Sequence, residues 1–185
     1  MGTMKKASAI IVMLVIAFTV LTSCRSVEKE PEEKASVVYE AVFVDDAEID
    51  SFFREVRGDA LYANAKTEFH ITTAFMPEED SRELYGTEVA VLITGYIDGE
   101  VIMEDGRPTR NEGFMVELVS KDPDMADYLN ASPIFFHITG SYMDLPRYTG
   151  ELDFSLGRPV FFATTGIFGA YLSDGSFIFS AEDID

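Results

Sequence analysis

Two short segments of the chain match each other and hold its only two histidines. Residues 69–75 read FHITTAF and residues 136–142 read FHITGSY, so four consecutive positions are identical and both segments end in an aromatic residue. Alternate residues of a β-strand share a face. Each segment, as a strand, therefore presents one imidazole and one threonine hydroxyl on the same face, with apolar residues directed the other way into a core.

Two such imidazoles suit the hydrolysis of a strained cyclic phosphodiester. In-line attack at phosphorus needs a base that takes a proton from water and an acid that protonates the leaving alkoxide. Histidine, with an unperturbed pKa of ~6.5, can do either job, so His70 and His137 can share them in either order. Thr72 and Thr139 stand beside the imidazoles as donors to the non-bridging oxygens. The scheme needs no metal ion and no other cofactor.

The charge of the chain restricts the partners it can have. Against 14 Lys and Arg stand 33 Asp and Glu, for a formal net charge of −19. Such a charge repels polyanions, so duplex nucleic acid is not an expected partner, while a small phosphate ester in a local pocket remains compatible. High acidity also serves solubility alone. Acidic surroundings favour imidazolium, which predicts a bell-shaped pH–rate profile displaced upward.

The N-terminus is typical of a targeting signal. Two lysines precede an apolar stretch over residues 7–20, followed by Leu-Thr-Ser-Cys ending at Cys24. This resembles the lipobox of bacterial lipoproteins, which implies a signal peptide over residues 1–23 and acylation of Cys24. The chain would then be anchored at the cell envelope, on the outer face of the cytoplasmic membrane or in the periplasm. The alternatives are an uncleaved membrane anchor, although the stretch is shorter than the ~20 residues of a span, and a secretory signal with an incidental cysteine.

The remainder divides into a linker and a folded domain. Residues 24–36 are charged, contain one proline and lack the apolar side chains of a core, which predicts a flexible linker. Residues 37–185 are then the folded domain. Because Cys24 is the only cysteine, an intramolecular disulfide and a thiolate metal site are both excluded.

Apolar periodicity and turn residues predict a strand-rich α+β domain. A helix is expected from Asp45 or Asp46 to about Arg57, and a second one starts at Asp122-Pro123 and runs to about Asn130. Asp98-Gly99 predicts a hairpin turn, with a loop over 105–113. Strands are expected over 37–44, 67–76, 87–96, 114–119, 134–142 and 158–172, with a short last strand at 177–179.

The paired His-x-Thr segments, 67 positions apart, resemble those of the two-histidine (2H) phosphoesterase superfamily. Within it, the tract from 39 to 179 is similar to the Swiss Army Knife RNA-repair-like branch. The resemblance implies a bilobal, pseudo-twofold fold of antiparallel sheets with flanking helices and a central cleft. It also implies hydrolysis of 2′,3′-cyclic phosphate ends, or of related small nucleotide cyclic phosphates, by His70, Thr72, His137 and Thr139. Further stretches that carry it are Leu84-Tyr85-Gly86, 111–114, 149–152 and 168–170.

The sequence departs from the superfamily pattern at one position in each segment. The residue after each threonine is usually hydrophobic, whereas here it is Thr73 in the first segment and Gly140 in the second. In a strand this position faces away from the cleft. The departure therefore concerns packing rather than chemistry.

Other residues are weaker candidates for substrate contacts. Tyr85 and Tyr142 could stack on a base or pack in the core. Lys66, Arg110 and Arg147 could neutralise a phosphate or be solvated side chains.

Two other kinds of function remain open at the level of sequence. The fold could serve a catalytically silent lipoprotein that binds a nucleotide or phosphate at the envelope, or a purely structural lipoprotein. The intact pair of His-x-Thr segments favours an enzyme over the structural role, but separates an enzyme from a binding module only weakly. No protein partner can be inferred.

Overall fold

A computed structural model describes residues 35–180 and residue 182. The predicted signal peptide, the predicted lipidation site Cys24 and the linker up to residue 34 lie outside the described residues. Among the residues that are described, no helix is long and apolar enough to cross a membrane.

The domain is a mixed α+β structure around one antiparallel sheet. The sheet order is β2-β6-β5-β4-β7-β1-β3, with β8 paired to β7, and each of these pairings is antiparallel. This confirms the predicted α+β class with few helices. The strands are β1 (Val37–Val44), β2 (Asn64–Ala65), β3 (His70–Phe75), β4 (Glu88–Ile102), β5 (Pro108–Val119), β6 (His137–Tyr142), β7 (Arg158–Leu172) and β8 (Phe177–Ile178).

Both predicted α-helices form, and their caps explain where they begin. Helix α1 (Asp46–Arg57) starts after Asp45, whose carboxylate accepts a hydrogen bond from the backbone N–H of Glu48 at 2.9 Å. Helix α2 (Pro123–Ala131) starts after Asp122, which accepts from the backbone N–H groups of the first turn at 3.0 and 3.1 Å. Proline at the first position of α2 loses no hydrogen bond there.

The main core lies between the two helices and one face of the sheet. Helix α1 contributes Ile49, Phe52 and Phe53, and α2 contributes Met125 and Leu129. These side chains are in one cluster with buried residues of β1, β3, β4, β5, β6 and β7. Burial of this apolar surface leaves the other face of the same strands free to carry a site.

The predicted turn at Asp98-Gly99 is wrong, because β4 runs straight through it. Gly99 pairs with Asn111 of β5, and a Cβ atom at Gly99 would lie 3.1 Å from Leu152. The glycine therefore makes room for a neighbouring side chain. The real turn is at Gly106, which has φ +82°, the left-handed region that favours glycine.

Strands β3 and β6 are far apart in the sheet order but contact each other in space. The sheet therefore curls, and its two outer regions come together. The chain between α1 and β3 links them, since β2 pairs with the end of β6 and the backbone N–H of Lys66 donates to the carbonyl of Gly140 at 2.8 Å. This link fixes the spacing of the two histidine-bearing strands.

Candidate active site

The four residues of the two His-x-Thr segments line one cavity of about 800 Å³. His70 and Thr72 come from β3, and His137 and Thr139 come from β6. All four are half-buried, while the isoleucine between each pair is fully buried in the core. The alternation of the strands thus directs both imidazoles and both hydroxyls to the same space.

His137 is held by backbone groups. Its Nδ1 lies 2.9 Å from the carbonyl oxygen of Phe135, so the neutral ring carries its proton on Nδ1 and leaves Nε2 free. The 3₁₀ helix η2 (Pro146–Glu151) packs against the ring, and a Cβ atom at Gly150 would lie 3.0 Å from its Cε1. A larger residue at Gly150 would press on the imidazole.

His70 is held by aromatic side chains instead. Its ring is stacked on Tyr39, with centroids 4.8 Å apart and planes 18° apart. Tyr39 is stacked in turn on Tyr171, with a centroid distance of 5.1 Å. Phe43 of β1 is the pairing partner of His70, and its ring centroid lies 6.0 Å from that of the imidazole. Such stacking fixes the ring plane without a hydrogen bond.

Both imidazoles are less basic than a free histidine. Burial, with contributions from the nearby charges of Lys66 and His137, lowers the pKa of His70 to about 4. Burial also lowers the pKa of His137, although its hydrogen bond to the Phe135 carbonyl opposes that shift. The expectation that the acidic surroundings raise these pKa values is wrong, because desolvation lowers both, and at His70 the charges of Lys66 and His137 lower the pKa further.

An aromatic surface that sequence reasoning missed extends from His70 along the cavity. Phe43 makes edge contacts with Phe177 and Phe179, each at a centroid distance of 5.2 Å. Phe177 also lies 5.1 Å from Tyr171. We call this set the aromatic wall; it consists of Tyr39, Phe43, Tyr171, Phe177 and Phe179. The period-two placement of Tyr39 and Phe43 on β1 was the available signal, but the remaining members come from β7, β8 and the residue after β8, which are distant in sequence.

Four charged residues also line the cavity. Arg147 is exposed, and its guanidinium lies 3.1 Å from a carboxylate oxygen of Glu104. Lys66 is half-buried and forms no ion pair with a carboxylate of the described residues. Asp46 and Glu68 are the two acidic members, and Asp46 accepts a hydrogen bond from the backbone N–H of Phe69 at 2.6 Å.

Three weaker candidates do not line the cavity. Tyr85 is buried in the core and donates to Glu40 at 3.0 Å, so a stacking role does not fit its position. Arg110 lies over the ring of Tyr62 and 3.7 Å from Asp98, away from the histidines. Tyr142 ends β6 and is half-buried outside the cavity lining.

The two departures from the superfamily pattern have packing explanations. The hydroxyl of Thr73 lies 2.9 Å from the hydroxyl of Tyr128, which donates to Glu40 at 2.8 Å. A Cβ atom at Gly140 would lie 2.6 Å from the ring of Phe53 and 3.0 Å from the carboxylate of Glu112. Both positions therefore adapt to a buried glutamate on the core face of the sheet.

Among the described residues, no group of three or more His, Cys, Asp and Glu side chains is placed to hold a metal ion. Comparison with known proteins adds no relative: no family model, no curated protein and no solved structure matches this chain.

Proposed function

We propose that this chain is a phosphoesterase of the 2H type that hydrolyses cyclic phosphodiesters without a metal ion. Its expected substrates are 2′,3′-cyclic phosphate ends or related small nucleotide cyclic phosphates. The observation that carries the proposal is the convergence of both His-x-Thr segments on one cavity. Two histidines with a hydroxyl beside each supply an acid, a base and two phosphate donors around a single point.

The strand order supports the bilobal, pseudo-twofold architecture of that superfamily. Strands β1, β3 and β4 of the first half correspond to β5, β6 and β7 of the second, with α1 and α2 at matching places. The sheet order from β3 to β6 is β3-β1-β7-β4-β5-β6. From one end, the histidine strand β3 is followed by β1, the first strand of the same half, and then by β7, the third strand of the other half. From the other end, β6, β5 and β4 follow one another in the same way. An order that reads alike from both ends is what two exchanged repeats would produce.

A pair of buried glutamates extends the correspondence beyond the histidines. Glu40 on β1 and Glu112 on β5 are both fully buried, and each lies at an irregularity in the pairing with its histidine strand. Glu40 accepts from the hydroxyls of Tyr85 and Tyr128. Glu112 accepts from hydroxyls of β4 and β6 at 2.7 and 2.6 Å and lies 2.8 Å from Nε of Arg57. Equivalent buried carboxylates behind the two site strands support a repeated unit.

The environments of the two histidines favour one assignment of roles. His70, next to Lys66 and with a pKa of about 4, is the neutral base that removes a proton from water. His137, whose Nδ1–H donates to the Phe135 carbonyl, is the acid, because that carbonyl stabilises the imidazolium form. The water oxygen forms the new bond to phosphorus, the ring P–O bond breaks, and Nε2–H of His137 protonates the leaving alkoxide. The product is a phosphomonoester, and exchange with solvent restores both protonation states.

The aromatic wall and the charge favour a small substrate with a planar ring. Bases stack on aromatic side chains for ~1–3 kcal/mol each, and the wall starts directly at His70. The net charge of −19 opposes a long polyanion. A mononucleotide or a short end fits both conditions better than a folded RNA.

A substrate panel tests the proposal. The full-length chain in detergent is assayed with 2′,3′-cyclic mononucleotides and with an oligonucleotide that ends in a 2′,3′-cyclic phosphate, with and without a chelator. We expect turnover that the chelator leaves unchanged. Loss of activity with the chelator, or activity that persists in the double variant H70A/H137A, would show that the chemistry is different.

A catalytically silent binding protein is the second candidate, and the lowered pKa values favour it. An enzyme needs one protonated histidine, whereas burial lowers the pKa of both imidazoles and so favours their neutral forms. Such a site could bind a phosphate ester without a ready proton donor. Tight nucleotide binding with no turnover across pH 4–8 would establish this reading.

Export and lipid anchoring at Cys24 are likewise proposals from the sequence pattern. Mass spectrometry of the purified chain should find an acylated Cys24 as the first residue. An intact N-terminus without lipid, in both the parent and C24S, would instead support an uncleaved anchor.

A further inference from the structure

Three cationic residues near the cleft differ in whether their side chains are available to bind a phosphate. Arg110 lies outside the cavity beside Asp98. Arg147 lines the cavity but is exposed and bound to Glu104 and to the hydroxyl of Tyr148, 3.1 and 3.0 Å away. Lys66 lines the cavity, is half-buried, and is unpaired among the described residues.

The backbone of Lys66 ties it to both histidine strands. Its N–H donates to the carbonyl of Gly140, the residue that follows Thr139. Strand β3 begins at His70, four residues after Lys66. Lys66 therefore lies on a segment that contacts the His137 strand and leads directly into the His70 strand, and it lines the cavity with both histidines.

The charges around the cavity favour a cation at the position of the Lys66 ammonium group. Its charge is close enough to His70 to lower the pKa of that imidazole. The lining acids Asp46 and Glu68 add negative charge to an already acidic domain, and Asp46 is engaged by the backbone of Phe69. An anionic substrate needs a local cation to offset this field, and the two threonine hydroxyls carry no charge.

We propose that Lys66 is a further catalytic residue, whose ammonium group binds a non-bridging oxygen of the phosphoryl group as the ring opens. The inference rests on the proposed function and adds a charged phosphate contact to its two histidines and two threonines. Charge on the non-bridging oxygens is greatest near the transition state, so a cation fixed beside both histidines stabilises that state more than the bound substrate. A lysine serves here as a point charge that does not demand paired acceptors.

Charge removal with a matched control tests the rate. The variants are K66M, K66R and the control K121M, whose lysine is exposed before α2 and outside the cavity. With a 2′,3′-cyclic mononucleotide, K66M should lower kcat/KM on the order of 10²–10³-fold, the loss typical of one oxyanion donor. K66R should keep a large part of the activity and K121M all of it. K66Q serves as the neutral variant if methionine disturbs the amide spectrum.

Inorganic phosphate separates this inference from the proposed function. The two histidine Cε1–H signals are followed by NMR at pH 6 as phosphate is added, and then across pH in its absence. In K66M, phosphate affinity should fall and the pKa of His70 should rise, because one cation is removed while Glu68, Asp46, Tyr39, Tyr171 and His137 stay. If the parent turns over no cyclic phosphate yet K66M still weakens phosphate binding, the enzyme proposal fails and the Lys66 site stands. Phosphate affinity and rate equal to the parent in K66M, or no phosphate binding by the parent, would overturn it.

Discussion

The two histidines lie in matching strands but in different surroundings. On one side of the cavity, Tyr39 stacks on His70 and continues into the aromatic wall. On the other side, His137 is flanked by the Phe135 carbonyl and by Gly150 of η2. One imidazole is thus stacked on an aromatic side chain, while the other is held by a backbone carbonyl and has its nearest aromatic ring, that of Phe154, 6.3 Å away in a tilted arrangement.

The residue that precedes each buried glutamate accounts for this difference. Before Glu40 stands Tyr39, whose ring reaches His70. Before Glu112 stands Asn111, which is buried and donates to Thr149 and to the carbonyl of Leu145, each at 3.0 Å. Asn111 thereby holds η2, and η2 presents Gly150 to His137. A change of residue type at one corresponding position thus gives the two histidines different surroundings.

The largest expected effects come from the histidines themselves. H70A and H137A should each lower kcat on a 2′,3′-cyclic mononucleotide by on the order of 10²–10⁴-fold, the usual contribution of a positioned acid or base. A p-nitrophenyl phosphodiester has a leaving group that needs no proton, so H137A should lose far less on that substrate while H70A should not be rescued. Steady-state rates on both substrates decide this. Rescue of H70A instead would reverse the assigned roles.

The buried glutamates should differ in what they contribute to stability. E112Q leaves the guanidinium of Arg57 buried without its charge partner, which should cost about 3–5 kcal/mol. E40Q disturbs only hydrogen bonds from Tyr85, Tyr128 and the Ser81 backbone, and should cost about 1–3 kcal/mol. Free energies of unfolding from urea titrations measure both. The control E117Q alters an exposed residue on the same strand as Glu112 and should be neutral; equal losses at Glu40 and Glu112 would contradict the comparison.

These glutamates also show why part of the site was out of reach of the sequence. The histidine strands and both helices were predictable, because alternation, Asp caps and a first-turn proline act over a few residues. Glu112, by contrast, lay in a predicted loop. Its charge is compensated by Arg57, Tyr96 and Ser141, which come from three separate elements, so no local pattern indicated its burial. A buried charged residue can be recognised only when the fold shows which partners surround it.

The same limit applies to the aromatic wall and to β4. Tyr39 and Tyr171 become neighbours only through the pairing of β1 with β7. Asp98-Gly99 has the composition of a turn, and only the pairing of these residues with Glu112 and Asn111 of β5 shows that the strand continues. Local patterns thus predicted the two histidine-bearing strands, while the surroundings of the histidines depend on long-range packing.

The aromatic side of the cavity should matter for base-containing substrates alone. F177L removes an exposed ring of the aromatic wall, and should raise KM for a 2′,3′-cyclic mononucleotide by an amount worth about 1–3 kcal/mol of base stacking. Glycerol 1,2-cyclic phosphate has no base and should be affected much less. F161L, at an exposed position outside the cavity, is the control. An equal rise in KM for both substrates would mean that Phe177 shapes the cavity and does not stack on the base.

The smallest and most direct test is the titration of the two imidazoles in the unoccupied protein. Both NMR midpoints should fall below 6.5, with His70 at about 4, since burial disfavours the charged ring in both and Lys66 adds repulsion at His70. Since the unfolded chain binds these protons more tightly than the folded one, folding stability should be full above pH 6.5 and should fall as the pH drops toward 4. The maximum of kcat/KM should lie on the acid side of pH 6.5 for the same reason, because that quantity reports the free enzyme. Midpoints above 6.5 would mean that the surrounding carboxylates outweigh burial, and would remove the reason for assigning His70 as the neutral base.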